Sequence, residues 1–246
     1  MRTVAIVQAR MGSTRLPGKV MHDLCGDTML AQGIRRLRAA SSLEHVVIAT
    51  TINSEDDIIV REAQRLGVQV HRGSAHDVLD RYVGAARASG ADAIVRVTSD
   101  CPMIDPAVVD RVVAKLTGAI DYASNTHDVQ TFPRGLDCEV FWRDTLERMG
   151  RMATTNAARE HVTVLVREKP ALFRTDQLIS EADDSDLRWT VDTDADLALV
   201  RVLYEQFSLA TRTVDYRDIV RAVRAEPALR AINAHIAQKD WRVTAL

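Results

Sequence analysis

Apolar residues in this chain come in short blocks separated by stretches of helical period, and that alternation carries the first reading of the fold. The block 4–7, Val-Ala-Ile-Val, is apolar throughout and reads as a strand covered on both faces. Similar blocks follow at 46–50, 68–70 and 93–98. Between them, residues 27–40 place Met29, Leu30, Ile34 and Leu37 on one helical face. Ser54 reads as the N-cap of a helix carrying Ile58, Ile59, Ala63 and Leu66, which Gly67 ends. A further helix is predicted over 77–89, and Asp105 before Pro106 marks a helix start with proline at its first position. Strands alternating with helices predict a parallel sheet wound through right-handed crossovers.

The pattern changes after Lys115. Residues 120–182 hold a loop at 131–135, extended pieces at 137–142 and 171–179, and a helical stretch at 156–168, which together predict an insertion with a sheet or hairpin of its own. The block 187–191 reads as a return to the main sheet, followed by a helix through Phe207. This divides the chain into a main domain over 1–210 and a tail over 211–246. In the tail, Ile219, Val220, Val223, Leu229 and Ile232 predict one or two helices packed on the body.

Chemistry concentrates in residues 8–19, between the first strand and the first helix. They hold three cations (Arg10, Arg15, Lys19), the hydroxyls of Ser13 and Thr14, two glycines and a proline. A loop at the carboxyl end of a parallel strand lies where open α/β sheets bind ligands. Glycines let backbone N–H groups approach a polyphosphate, arginine grips its oxygens with two donors, and lysine supplies a point charge. The loop is not a Walker A motif: five residues separate Gly12 from Gly18, and Val20 follows the lysine where a hydroxyl is required. A basic surface loop is the plainer alternative.

Composition narrows the partners. The 246 residues carry a net charge of −2, so there is no bulk attraction to nucleic acid or an anionic membrane. No apolar run is long enough to span a membrane and no signal peptide is visible, which makes the cytoplasm the expected compartment. Cys25, Cys101 and Cys138 are odd in number and lack C-x-x-C spacing, which disfavours a disulfide framework or a zinc site. Asp100 and Asp192 each follow an expected strand end, so their carboxylates are expected at the same edge as the basic loop. Two such groups beside a polyphosphate suit Mg²⁺, which takes few protein carboxylates and completes its shell with phosphate and water. Each aspartate alone could equally be a cap or turn former, and Asp194 and Asp196 are the alternates.

The run 9–19, Ala-Arg-Met-Gly-Ser-Thr-Arg-Leu-Pro-Gly-Lys, resembles the N-terminal signature of the sugar-acid cytidylyltransferases, especially the branch called spore coat polysaccharide biosynthesis protein SpsF. Similar segments recur at 73–81, at 96–105 (with Ser99 where glycine is usual), at 135–141, at 159–163 and at 191–197. The resemblance implies a Rossmann-like, three-layer α/β nucleotidyltransferase fold and an enzyme that transfers CMP from CTP to a small-molecule acceptor for surface polysaccharide synthesis. By carry-over, Arg15, Lys19 and Asp100 act in catalysis, and Asp100 and Asp192 hold Mg²⁺ or Mn²⁺. Ala9, Arg10, Met11, Gly12, Ser13, Thr14, Thr50, Ser74 and Arg96 complete the nucleotide site. Arg134, Asp137, Glu139, Arg159, Glu160 and His161 face the acceptor, and a homodimer is expected. Transfer to a phosphonate or phosphorylated molecule, use of another nucleotide, and nucleotide binding without catalysis are the competing functions.

Overall fold

In the computed structural model, which describes residues 1–238, a single seven-stranded sheet organises the chain. Its first half alternates as the sequence predicts: β1 (Thr3–Gln8), α1 (Met29–Arg38), β2 (His45–Thr51), α2 (Asp57–Arg65), β3 (Gln69–Gly73), α3 (Val78–Ser89), β4 (Ala93–Thr98) and α4 (Pro106–Val113). The second half holds β5 (Tyr122–Ser124), β6 (Glu139–Trp142), α5 (Arg143–Met152), α6 (Asn156–Glu160), α7 (Val164–Glu168), β7 (Thr175–Gln177), α8 (Asp194–Gln206), α9 (Tyr216–Ala225) and α10 (Pro227–Ala231). No helix among the described residues is long and apolar enough to cross a membrane.

The strand order β3-β2-β1-β4-β6-β5-β7 locates the site. The chain runs outward from β1 to β3, then returns to place β4 on the other side of β1. The chains leaving β1 and β4 run to α1 and α4 in one and the same layer, so their two loops stand side by side at the carboxyl edge of adjacent parallel strands. The register aligns Gln8 with Thr98, so both loops begin at one height. β1 alternates within its apolar run: Ala5 and Val7 pack into the layer holding α1, α4 and α8, and Val4 and Ile6 into the layer holding α3 and α5. Cores on both faces account for the unbroken hydrophobicity of these strands.

Several expectations are corrected. The insertion does not fold a separate sheet: β6 pairs antiparallel with β4, β5 with β6, and β7 parallel with β5, so all three extend the main sheet. Residues 187–191 form no strand of that sheet. They make one bridge, with Arg134 N–H donating to Leu187 O at 2.9 Å and Trp189 N–H to Arg134 O at 2.7 Å, while Leu187, Trp189 and Val191 are buried beneath. The alternation that imitates a strand is a burial pattern without a pairing partner. The helix expected over 156–168 breaks between α6 and α7, where Val162 has a φ of 57°. The 171–179 piece contributes only β7. Ser54 begins a 3₁₀ turn rather than capping α2, because the neighbouring Asp56 takes the cap position. The tail gives α9 and α10, and its last residues, 239–246, lie outside the described residues. α5 was not expected from the sequence, since only Leu146, Met149 and Thr145 along it are buried.

Gly135 permits the bridge between the 134 loop and the 189 segment. Its φ is 103°, and a Cβ there would lie 2.6 Å from Thr190 N and from Trp189 C. Gly135→Ala is therefore expected to destabilise the fold by about 2 kcal/mol or more, through backbone strain and separation of the two segments. The check is the urea midpoint at constant m-value; an unchanged midpoint contradicts the close approach.

Candidate active site

The loop after β1 is shaped by hydrogen bonds of its own backbone and to its neighbours. Met11 O accepts from Ser13 N–H at 2.7 Å and from Gly18 N–H at 3.1 Å, and Gly18 adopts the left-handed φ of 66° that closes the turn. Met11 N–H donates to Asp56 Oδ1 at 2.7 Å, and Ala9 N–H to Ala49 O at 3.1 Å. Among the described residues nothing accepts a hydrogen bond from the N–H groups of Gly12, Thr14 and Arg15. Free N–H groups on a curved backbone beside fixed cations form an anion receptor.

The cations of the loop meet the two aspartates. Lys19 Nζ donates to Asp192 Oδ1 at 2.9 Å, to Val191 O at 2.8 Å and to Asp100 Oδ2 at 3.2 Å. Arg15 reaches Asp192 Oδ2 at 2.9 Å. Asp100 and Asp192 are further tied by Val191 N–H donating to Asp100 O at 2.8 Å. Burial alone would lower the Lys19 ammonium's pKa, but both carboxylates raise it; burial alone would raise that of Asp192, but Lys19 and Arg15 hold it down. Lys19 and Asp192 are therefore both charged at neutral pH.

A cleft of about 300 Å³ opens over this cluster, lined by Ala9, Arg10, Gly12, Ser13, Thr14, Arg15, Lys19, Arg96, Asp100, Glu160, His161 and Asp192. A second lobe of about 600 Å³ is lined by Arg134, Asp137, Glu139, His161 and Arg96, together with Thr126, His127, Gln130, Thr163 and Arg167. Arg96, Thr98 and His161 line both lobes and so stand at their junction. Glu139 fixes Arg96 there: it pairs with the guanidinium and accepts from Tyr122 Oη and Thr163 Oγ1, each at 2.7 Å. Burial would raise the Glu139 carboxyl's pKa, but Arg96 and these hydroxyls lower it.

Four expected site residues lie elsewhere. The Thr50 side chain is fully buried in β2. Met11 packs against the core. Ser74 Oγ accepts from the N–H groups of His76 and Asp77 at 3.2 and 3.1 Å, shaping the turn before α3. Arg159 is held by Asp77 Oδ2 at 3.2 Å and Ala153 O at 3.0 Å, and Glu160 lines the first lobe rather than the second. Asp196, an alternate metal ligand, is 0% exposed and its oxygens are occupied by protein donors. Arg81 went unrecognised. It is 2% exposed, lines the first lobe and donates to Ser74 O at 2.7 Å. The signal was a cation within the apolar stripe of α3.

Among the described residues no cluster of three or more His, Cys, Asp or Glu side chains is arranged to hold a metal. Two carboxylates do converge on one cationic atom, Lys19 Nζ. That donor set fits a hard divalent ion that takes one or two protein carboxylates and draws its remaining oxygens from phosphate and water.

In the second lobe, burial leads the causes that push the Asp137 carboxyl's pKa up to about 6, with Asp100 and Glu139 adding to the shift and Gln130 and Arg134 opposing it. A raised folded value means the native state holds the proton more tightly. Its contribution is full below the unfolded value of about 3.9 and is lost as pH rises through about 6. Asp137→Asn should therefore stabilise the protein relative to wild type at about pH 8, with the advantage shrinking towards about pH 4. Urea midpoints across that range check this; parallel curves contradict the assigned environment.

Comparison with known proteins agrees with the geometry. A family model described as cytidylyltransferase matches residues 4–218. The chain is 36% identical to an uncharacterised protein of Methanocaldococcus jannaschii over 98% of each chain. It is 34% identical to the spore coat polysaccharide biosynthesis protein SpsF of Bacillus subtilis, over 82% of this chain and 85% of that one. The solved structure of a cytidylyltransferase from Leptospira borgpetersenii serovar Hardjo-bovis matches with a TM-score of 0.88 and 33% identity, covering 98% of this chain and 100% of that one. The chain belongs to the cytidylyltransferase family and is a nucleotidyltransferase.

Proposed function

We propose that the enzyme transfers CMP from CTP to a hydroxylated acid of the sugar-acid class, with Mg²⁺ held by Asp100 and Asp192, in the synthesis of a surface polysaccharide or glycoconjugate. The observation that carries this reading is the two-lobed cleft, in which the cationic loop and the paired aspartates of one lobe adjoin, through Arg96, the polar lobe of the insertion. The triphosphate fits the first lobe, where Arg15, Lys19 and the free N–H groups of Gly12 and Thr14 meet its oxygens. The acceptor fits the second, where Arg134 suits a carboxylate and Asp137 and His161 suit hydroxyls.

In the reaction an acceptor oxygen attacks the α-phosphorus, the bond to the bridging oxygen of the β-phosphate breaks, and pyrophosphate leaves. Arg15 and Lys19 neutralise the charge that develops on the leaving group. Asp137, with its pKa of about 6, is ionised at neutral pH and can take the acceptor's proton. A bound Mg²⁺ would supply charge stabilisation at the phosphate oxygens.

The test is pyrophosphate release with ATP, CTP, GTP or UTP across a panel of sugar acids, phosphonates and phosphorylated sugars. Release with CTP and a sugar acid is expected, and Asp100→Asn and Asp192→Asn should each fold and lose roughly a hundred-fold in turnover. The two losses combined should fall short of their product, since both groups serve one ion. Full turnover in chelator, or release only with another nucleotide or acceptor class, contradicts the reading.

A further inference from the structure

Asp192 Oδ2 is held by two guanidinium groups of different standing. Arg15, at 2.9 Å, belongs to the loop that lines the nucleotide lobe, and its side chain is 31% exposed. Arg188, at 2.7 Å, has a side chain only 8% exposed and lines neither lobe. An arriving triphosphate offers Arg15 and Lys19 new partners. It offers Arg188 none, because that guanidinium is already committed: Nε donates to Asp196 Oδ1 at 2.9 Å, and Nη2, which also binds Asp192, donates to Asp196 Oδ2 at 3.3 Å. Arg188 is thus the partner that stays with Asp192 when the loop turns to its ligand.

Behind Arg188 stands the C-terminal segment. The Asn233 side chain, two residues beyond α10, donates from Nδ2 both to Asp196 Oδ1 and to Arg188 O, each at 2.9 Å, and the residue is only 5% exposed. Asp196 Oδ2 also accepts from the backbone N–H groups of Asp192 and Thr193, each at 3.0 Å, so it fixes the backbone as well as the side chain of the aspartate turn. A neutral amide is required at 233, since a carboxylate there would face Asp196. One buried cation between two carboxylates leaves a net negative charge at Asp192, the condition for engaging a further cation.

We infer that Arg188 and Asn233 are positioning residues for Asp192, so that the C-terminal segment completes the site by holding that carboxylate in place after Arg15 and Lys19 have moved to the triphosphate. This rests on the reading of Asp192 as a ligand of the divalent ion. Groups that orient a metal ligand typically govern metal affinity or activity by 10- to 100-fold.

The experiment uses the full-length chain with Asn233→Ala and Arg188→Lys. Thermal unfolding establishes folding, calorimetry gives metal-free CTP affinity, electron paramagnetic resonance gives Mn²⁺ affinity in the presence of CTP, and steady-state kinetics gives kcat and the KM for CTP. Both variants should bind metal-free CTP as wild type does, bind Mn²⁺ roughly ten-fold more weakly, and lose kcat with little change in KM. If either folded variant keeps wild-type Mn²⁺ affinity and kcat while only its Tm falls, that residue is a packing contact and the inference is overturned. Should Arg188→Lys fail to fold, Asn233→Ala decides alone. A wild type that transfers no CMP yet binds Mn²⁺ more tightly than Asn233→Ala would sink the proposed function and leave this inference standing. A wild type that holds no Mn²⁺ beyond what CTP alone binds would sink this inference.

Discussion

The ammonium of Lys19, wedged between Asp100 and Asp192, is the contact on which the site depends. It joins three loops separated by 81 and 173 residues in sequence, at 3.2 and 2.9 Å. Such a partly buried cluster is strongly coupled. Removing one member leaves an uncompensated charge, which in buried pairs costs about 3–5 kcal/mol. The arrangement is nonetheless open to exchange, because the lysine and Arg15 line the cleft and phosphate oxygens can take the place of the carboxylates. The carboxylates would then be released for a metal ion arriving with the nucleotide. The site is organised by its own internal ion pairs, so incoming phosphate charges would exchange partners within an assembled cluster.

Topology brings these charges together. The reversal of strand order at β1 and β4, with Gln8 level with Thr98, sets the cationic loop after β1 and the Asp100 loop side by side. Residues 187–191 then cross the carboxyl ends of the strands instead of entering the sheet, and they deliver Asp192 at the height of Asp100, where Val191 N–H meets Asp100 O. The same segment bridges Arg134, so the second lobe and the Asp100–Asp192 pair share one strut. Gly135 is the position where that strut passes close against the backbone.

The first half of the fold was readable because β1, β2 and β4 are buried on both faces and the helices between them are amphipathic, so local pattern and tertiary environment agree. The meeting of Arg15, Lys19 and Asp100 at one edge was readable for a related reason, since β1 and β4 are parallel strands and their carboxyl ends share an edge; Asp192 reaches that edge too, though from a segment that is no strand. Where burial and pairing part company the reading failed. Residues 187–191 bury alternate side chains without a neighbouring strand, and α5 shows too narrow an apolar stripe to be recognised. Ser74 and Arg159 stand in segments that look like site motifs, yet their side chains are taken up by a turn and by Asp77. The contacts of Arg188, Asn233 and Arg81 were not legible because they run across the fold, and no local spacing encodes such contacts.

The account turns on a change of partner at Asp100 and Asp192 when nucleotide binds. Its most direct test is a crystal structure with CTP and Mn²⁺, the ion located by its anomalous scattering. The account predicts an anomalous peak bridging the Asp100 and Asp192 carboxylates and the triphosphate, with Lys19 Nζ moved onto a phosphate oxygen and Arg188 still on Asp192. A peak away from both aspartates, or Lys19 still wedged between them beside a fully bound CTP, would contradict it.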